Sequence, residues 1–253
     1  MYTEEQFIEL EQEERTLTDE GILGMILLLG IVKGNLEKEL RAFYQKYGKD
    51  GVVTYTEARK WVSEQNHTKR LTALTMYMSG EFEKILPQVT DEFEKLLRGV
   101  IGKESGFFDI EVDEDKILEK KWGTDESTWD ERLEDDILLW VLLFANDWKR
   151  AMLQRKHLDD VLKQLDKRFV SIESIIKTLG LSESTAVGSL ARQKIFRELG
   201  IGKYQFYSKA DERTCETCGS MHGLIFPMSA YEVGVTASPL HPRCRCWEVP
   251  IWD

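Results

Sequence analysis

The stretches Cys215-Glu216-Thr217-Cys218 and His241-Pro242-Arg243-Cys244-Arg245-Cys246 decide how the end of this chain folds, because they hold all four of its cysteines. In Cys-x-x-Cys, the short spacing lets a tight turn direct both sulfurs to one point. In Cys-x-Cys, the two side chains lie on the same face of a strand. Two such pairs supply the four thiolates that a structural zinc prefers, and His241 is an alternative ligand because Cys₃His sites are also common. The spacing therefore predicts a zinc site whose ligands are Cys215, Cys218, Cys244 and Cys246.

Three other uses of these cysteines are open, and each is less favoured than structural zinc. Disulfide bonds need an oxidising compartment, and the acidic residues 1–5 do not resemble the basic start of a secretory signal. A catalytic zinc keeps an open coordination position, and in nucleobase deaminases it comes with a His-x-Glu motif that neither His222 nor His241 begins. Free thiols are the third alternative. The sequence predicts no catalytic residue.

The charge of the chain limits its partners. A formal net charge of −11 over 253 residues argues against sequence-independent nucleic-acid binding through the whole surface, although a local basic patch remains compatible with it. The apolar run at residues 22–32 is shorter than the roughly 20 residues that a membrane span needs. It is apolar almost all round, so we expect it to be covered by another element or by another protein. The candidate contacts to an apolar partner are Ile22, Ile26, Leu27 and Leu29.

The rest of the sequence predicts an α+β protein that is predominantly α-helical. Long helices are followed by a small C-terminal antiparallel β unit organised by a Cys-rich zinc knuckle. We divide the chain into an N-terminal helical region (1–110), an acidic connection (111–136) and a third segment (137–253). That segment has helices over 137–200 and the zinc-bound β unit over 203–253.

Local signals predict where several helices begin and end. Thr3 begins a capping box, and Thr18 is a second start signal. Gly48 is expected to stop the helix that precedes it, and Gly180 is expected to close another. Pro87 is expected to break or kink its helix.

Residues 137–169 form a helical pattern that begins apolar and becomes basic. A charge-rich stretch of this kind is usually a solvated helix face, and that is the favoured interpretation. The alternative is a patch that contacts DNA or another anionic partner. Its candidate contacts are Lys149, Arg150, Arg155 and Lys156.

The motifs of the last segment, taken together, resemble the carboxy-terminal domain of phage head morphogenesis proteins, the phage Mu protein F-like minor head proteins. The resemblance rests on Asp211-x-Arg213-x-Cys215-x-x-Cys218 combined with His241-Pro242-x-Cys244-Arg245-Cys246. Clear similarity covers about the last fifty residues, and weaker likeness covers residues 40–48 and 53–58. Many relatives have a Thr-Glu pair ahead of the terminal strands, where this chain has Gly188-Ser189-Leu190-Ala191-Arg192-Gln193.

The resemblance implies a low-copy virion component, assembled in the bacterial cytoplasm and located inside the head near the portal. Such proteins are implicated in head assembly and in DNA packaging or ejection, and they are not enzymes. The implied partner is the portal protein, with the major capsid or scaffolding protein and phage DNA as further candidates. The alternative function is a zinc-stabilised DNA-binding module that guides the phage genome. A metal hydrolase or nuclease is the least favoured function, because the sequence shows no set of metal ligands that leaves a coordination position open beside a general acid or base.

Overall fold

The computed structural model describes residues 2–54, 56–57, 70–123 and 125–252, with only the backbone described for 70–79. Among the described residues, five helices with given bounds come first, and a three-stranded antiparallel sheet with one short helix follows. The elements are α1 (Glu4–Tyr47), α2 (Arg70–Phe108), α3 (Glu114–Leu118), α4 (Trp129–Leu153), α5 (Leu158–Glu198), β1 (Lys203–Tyr207), α6 (Glu216–Met221), β2 (Ile225–Pro227), a 3₁₀ turn (Met228–Ala230) and β3 (Trp247–Ile251). The mostly helical class with a small C-terminal sheet is therefore confirmed. None of the described helices is both long and apolar enough to cross a bilayer.

The two ends of α1 lie where the sequence predicts them. The Thr3 N–H donates to Gln6 Oε1 at 2.8 Å, and the Gln6 N–H donates to Thr3 Oγ1 at 3.3 Å, which is the reciprocal pattern of a capping box. The helix ends at Tyr47, directly before Gly48. The predicted second start at Thr18 is wrong. Thr18 lies inside α1, where its hydroxyl donates to the Glu14 carbonyl at 2.7 Å instead of capping a new helix.

Two other predicted helix ends are wrong because burial of the surrounding side chains outweighs local preference. Pro87 lies inside α2, which continues past it with Ile85 and Val89 buried on either side, so the predicted break is absent and the alternative of a kink stays a prediction. Gly180 lies inside α5, which extends to Glu198. Two residues later in α5, the Ser182 hydroxyl donates to the Thr178 carbonyl at 2.8 Å.

A helix break lies within residues 137–169, where the sequence predicts one continuous helix. The expected helix over residues 137–169 is divided between α4 and α5. Arg155 has a φ of 51°, and this left-handed conformation turns the chain between the two helices. The acidic connection also contains more helix than expected, because α3 and the first turns of α4 lie within residues 111–136.

The chain forms two compact units. One comprises Met1–Leu23, Glu92–Arg132 and Lys177–Asp253, and the other comprises Gly24–Asp91 and Leu133–Ile176. Each unit combines segments that are distant in sequence, because long helices contribute to both. The division at residues 110 and 136 stays a prediction about segments of the sequence. The first unit contains the sheet and both cysteine pairs, and we call it the sheet unit.

In the sheet, β1 is the central strand between β2 and β3, and both pairings are antiparallel. Tyr204 and Phe206 lie two residues apart in β1, so their side chains share one face, and both are fully buried. Tyr204 packs in a core with Phe7, Phe108 and Phe196 from three helices. Phe206 packs with the cysteines instead. One strand face therefore connects the helical core to the candidate metal centre.

A buried ion-pair network joins four elements of the sheet unit. Arg192 on α5 donates to Glu14 on α1 at 3.2 Å, to Glu248 on β3 at 3.2 Å, and to Glu104 on α2. Arg192, Glu104 and Glu248 are all buried. Burial raises the pKa of Glu14 well above its ordinary value, and the neighbouring Glu104 raises it further. The three carboxyl groups thus share one guanidinium as their cationic partner.

We expect Arg192→Met to lower the free energy of unfolding by about 3–5 kcal/mol, because it leaves buried carboxylates without their cation. Arg197→Met is the matched control, since Arg197 is exposed in the last turn of the same helix. Urea unfolding followed by circular dichroism measures both variants. Equal stability of the two would contradict a central role for the network.

We expect the stability contributed by Glu14 to decrease as pH rises. Its folded-state pKa is raised, so the contribution is complete below the unfolded pKa of about 4.3 and is lost as pH rises through the folded pKa. Glu14→Gln does not titrate, so the loss of stability as pH rises above the unfolded pKa of Glu14 should become smaller. Thermal unfolding across this range measures the effect, with exposed Glu9→Gln as the control. A pH profile identical to that of the unmodified protein would rule the effect out.

Candidate metal centre

The first cysteine pair is held by the start of α6. Cys215 is the N-cap residue, and its Sγ accepts a hydrogen bond from the Cys218 N–H at 3.4 Å. Cys218 lies in the first turn of the helix, where both sulfurs reach the same side. The preceding turn is fixed by Asp211, whose Oδ1 accepts from the Arg213 N–H at 3.0 Å. The sequence Cys-x-x-Cys thus forms a helix start that presents two sulfurs.

The second pair lies in the segment before β3 and is anchored on α5. The Arg243 N–H donates to Ser182 Oγ at 3.0 Å, and the Thr185 hydroxyl donates to the Cys244 carbonyl at 3.2 Å. Cys244 and Cys246 are both buried. The long helix α5 therefore sets the position of this pair.

The structure brings all five predicted ligands together in two overlapping groups. One group is Cys215, Cys218 and His241, and the other is Cys218, Cys244 and Cys246. Within each group the ligand atoms lie within 4.8 Å of one another, and Cys218 belongs to both. All four cysteines are free thiols, so the disulfide alternative is not what this structure contains.

The distances fit a tetrahedral ion. With Zn–S bonds of about 2.3 Å, two ligand sulfurs lie roughly 3.8 Å apart. The Sγ atoms of Cys218 and Cys244 are 3.8 Å apart. His241 Nε2 lies 3.3 Å from the Cys215 sulfur and 3.2 Å from the Cys218 sulfur. The cluster could therefore hold a metal ion, and its soft sulfur donors suit zinc.

The thiols differ in their ease of ionisation. A hydrogen bond with Cys246 lowers the pKa of Cys244 to about 6. Burial raises the pKa of Cys218 to about 12, and the negative charge of Cys244 adds to this effect. A hydrogen bond from the Cys218 backbone lowers the pKa of Cys215. Because zinc binds thiolates, metal binding here would release protons, and its affinity would depend on pH.

An ion pair connects the two ligand-bearing segments. Arg245, which lies between Cys244 and Cys246, donates two hydrogen bonds of 2.6 Å to the carboxylate of Asp211. This contact holds the pKa of Asp211 well below its usual range. Both residues belong to the motif that carries the resemblance, but the sequence alone did not assign them a role. Their pairing follows only from the folded geometry.

Part of this chain, including both cysteine pairs, matches a known protein family. Residues 144–249 match the family described as Phage Mu protein F like protein. The resemblance is confirmed over this part of the chain, which we call the Mu F-like region. The match covers less than half of the chain, and it includes both cysteine pairs. No curated protein and no solved structure gives a match.

The predicted basic contacts lie in the Mu F-like region, on and after the last turns of α4. Lys149, Arg150 and Arg155 are exposed, and Lys156 is half-buried. Lys156 lines a surface groove that also contains Lys163 and Lys167 together with the acidic residues Asp147 and Asp160. The groove therefore carries both signs of charge, and contact with DNA stays a prediction.

The predicted apolar contacts need a correction. Ile22 and Leu29 are buried in the chain itself, so they do not offer a surface to a partner. Ile26 is half-buried, and Leu27 is 65% exposed. The reason is helical periodicity, since Ile22 and Leu29 lie two turns apart on the inward face of α1. The outward face carries Leu23, Leu27 and Ile31.

We expect Cys218→Ser to remove most bound zinc from the purified protein, because Cys218 belongs to both ligand groups. His241→Ala should retain zinc if the four thiolates are the ligands. Mass-spectrometric metal analysis measures the zinc content, with exposed Ser220→Ala on the same helix as the control. Far-UV circular dichroism should show most helical signal intact, since the long helices lie outside the cluster. Full zinc content in the Cys218 variant would contradict the predicted site.

Proposed function

We propose that this chain is a minor head protein of a phage, present in few copies and associated with the portal on the inside of the head. In this role it takes part in head assembly and in DNA packaging or ejection. The match of residues 144–249 to the Mu F-like family supports the proposal most strongly. The portal protein is the proposed main partner, and major capsid or scaffolding protein is a further one.

We propose a structural zinc as the cofactor, with Cys215, Cys218, Cys244 and Cys246 as its ligands and His241 as the alternative. Bound zinc would fasten the start of α6 to the segment before β3 and would supply no reaction chemistry. Four thiolates complete a tetrahedral coordination sphere, which leaves no position for a substrate. This donor set supports a structural protein over a hydrolase or nuclease.

The alternative function is a zinc-stabilised module that contacts the phage genome. The exposure of Lys149, Arg150 and Arg155 within a short stretch of a chain of net charge −11 favours it. Such a local patch would make DNA affinity strongly dependent on salt, because phosphate contacts release counterions.

Binding to the portal tests the main proposal. We expect zinc-loaded full-length protein to co-sediment with portal assemblies of its own phage, and we expect Cys218→Ser to bind less because its β unit is loosened. Ser220→Ala is the control for the substitution. If zinc-loaded protein does not associate with the portal or with head precursors, the proposal fails.

Salt-dependent DNA binding tests the alternative. For a DNA-binding module, the affinity measured by fluorescence anisotropy should fall steeply between low and physiological salt. Lys149→Glu/Arg150→Glu should weaken it and reduce the salt slope by about one for each phosphate that is no longer neutralised. Absent or salt-insensitive binding would eliminate this function and leave the portal proposal unaffected.

A further inference from the structure

The outward face of α4 carries leucines that have no covering element in the described part of the chain. Leu138 and Leu139 are 54% and 56% exposed, and Leu142 and Leu143 are 44% and 41% exposed. The opposite face of the same helix packs in the interior, where Ile137, Trp140 and Phe144 are buried. Contiguous exposed leucines on one helix face are typical of an interaction surface.

The spacing on this face is that of a helix-pairing seam. Asp135, Leu139, Leu142, Asn146 and Lys149 follow one another at alternating separations of four and three residues, and all of them are exposed. This alternation keeps side chains along one line of a helix that packs against another helix. We call these residues, with the flanking Leu138 and Leu143, the α4 seam.

The exposed side chains of α4 change from acidic before the leucines to basic after them. Glu134 and Asp135 precede the leucines, whereas Lys149 and Arg150 follow them. The leucines thus lie between an acidic end and a basic end of one continuous helix. A second α4 in antiparallel orientation would place each acidic end beside a basic end. A parallel pair would instead oppose like charges, which is unfavourable.

We propose that α4 pairs antiparallel with α4 of a second copy of this chain. A two-fold axis between positions 140 and 141 opposes Leu138 with Leu143 and Leu139 with Leu142. The same axis opposes Asp135 with Asn146, and it brings Lys149 within about one helical turn of Asp135. Exposed Glu131 then lies opposite Arg150, so the leucine register agrees with the reversal of charge along α4. Arg132, which lies opposite Lys149, is already paired with Asp125 and Glu183. This self-complementarity is what a two-fold interface requires, since one patch must fit itself.

The experiment is a charge exchange on the full-length protein, followed by sedimentation equilibrium. Glu134→Lys/Asp135→Lys makes both ends of the face basic, and Lys149→Glu/Arg150→Glu makes both ends acidic. Each variant alone opposes like charges at both ends of the pair, so its dissociation constant should rise about tenfold. An equimolar mixture of the two should recover the dimer, because each basic end then meets an acidic one.

Two further variants separate the leucine contribution from a general effect of added charge. Leu139→Glu/Leu142→Glu should be monomeric alone and in either mixture. Val170→Glu changes an exposed apolar residue of α5 that lies outside the α4 seam, and its dimer should match that of the unmodified protein. Circular dichroism confirms that every variant is folded.

A monomeric unmodified protein at concentrations up to about 100 µM would overturn the inference, as such weak pairing carries no function in solution. A dimer that persists in the leucine variant, or one that the single charge variants leave unchanged, would also overturn it. Binding of the leucine face to the portal instead would appear as a monomer whose portal affinity falls in Leu139→Glu/Leu142→Glu. The inference does not depend on zinc or portal binding, so its failure leaves the proposed function intact.

Discussion

The buried guanidinium of Arg192 is the constraint on which the sheet unit depends. Removing an ion from water costs several kcal/mol, and a buried cation persists only when charged partners replace its hydration. Glu14, Glu104 and Glu248 come from α1, α2 and β3, so the requirement fixes these three elements around α5. Apolar packing has no direction and would tolerate small shifts, whereas a planar guanidinium with fixed donors does not.

The Arg192 network also positions the second cysteine pair, through its contact with Glu248 on β3. Glu248 lies two residues after Cys246, so the network holds one end of the second ligand pair. The other end is held by two residues of α5. Ser182 accepts a hydrogen bond from the Arg243 N–H, and Thr185 donates one to the Cys244 carbonyl. The same helix thus carries Arg192 and the anchors of the ligand segment. Hydrogen bonds to α5 and the Arg192 network therefore already position the second cysteine pair of the candidate metal centre. A bound ion would add the connection to α6.

The sequence predicts that the cysteines and His241 come together, because the spacing within each cysteine pair is a local property. Their role as metal ligands stays a prediction. The sequence also predicts the capping box at Thr3 and the helix end before Gly48. It fails at Pro87 and Gly180, where burial of neighbouring side chains keeps the helix continuous despite poor local preference. It cannot reveal the Arg192 network, whose members lie in four elements far apart in sequence. Periodicity marks residues 137–144 as apolar, but only the fold shows which of them stay exposed.

The α4 seam and the Mu F-like region overlap on α4, and only part of the seam lies within the matched residues. The four exposed leucines precede residue 144, where the family match begins, whereas Asn146, Lys149 and Arg150 lie within the match. The matched range therefore does not include the leucines. Their exposure is costly for an isolated chain, since apolar surface left in water forgoes about 25 cal/mol per Å² of stabilisation. Within the part of the chain that the structure describes, no element covers this face, and the reversal of charge along it matches the proposed second copy.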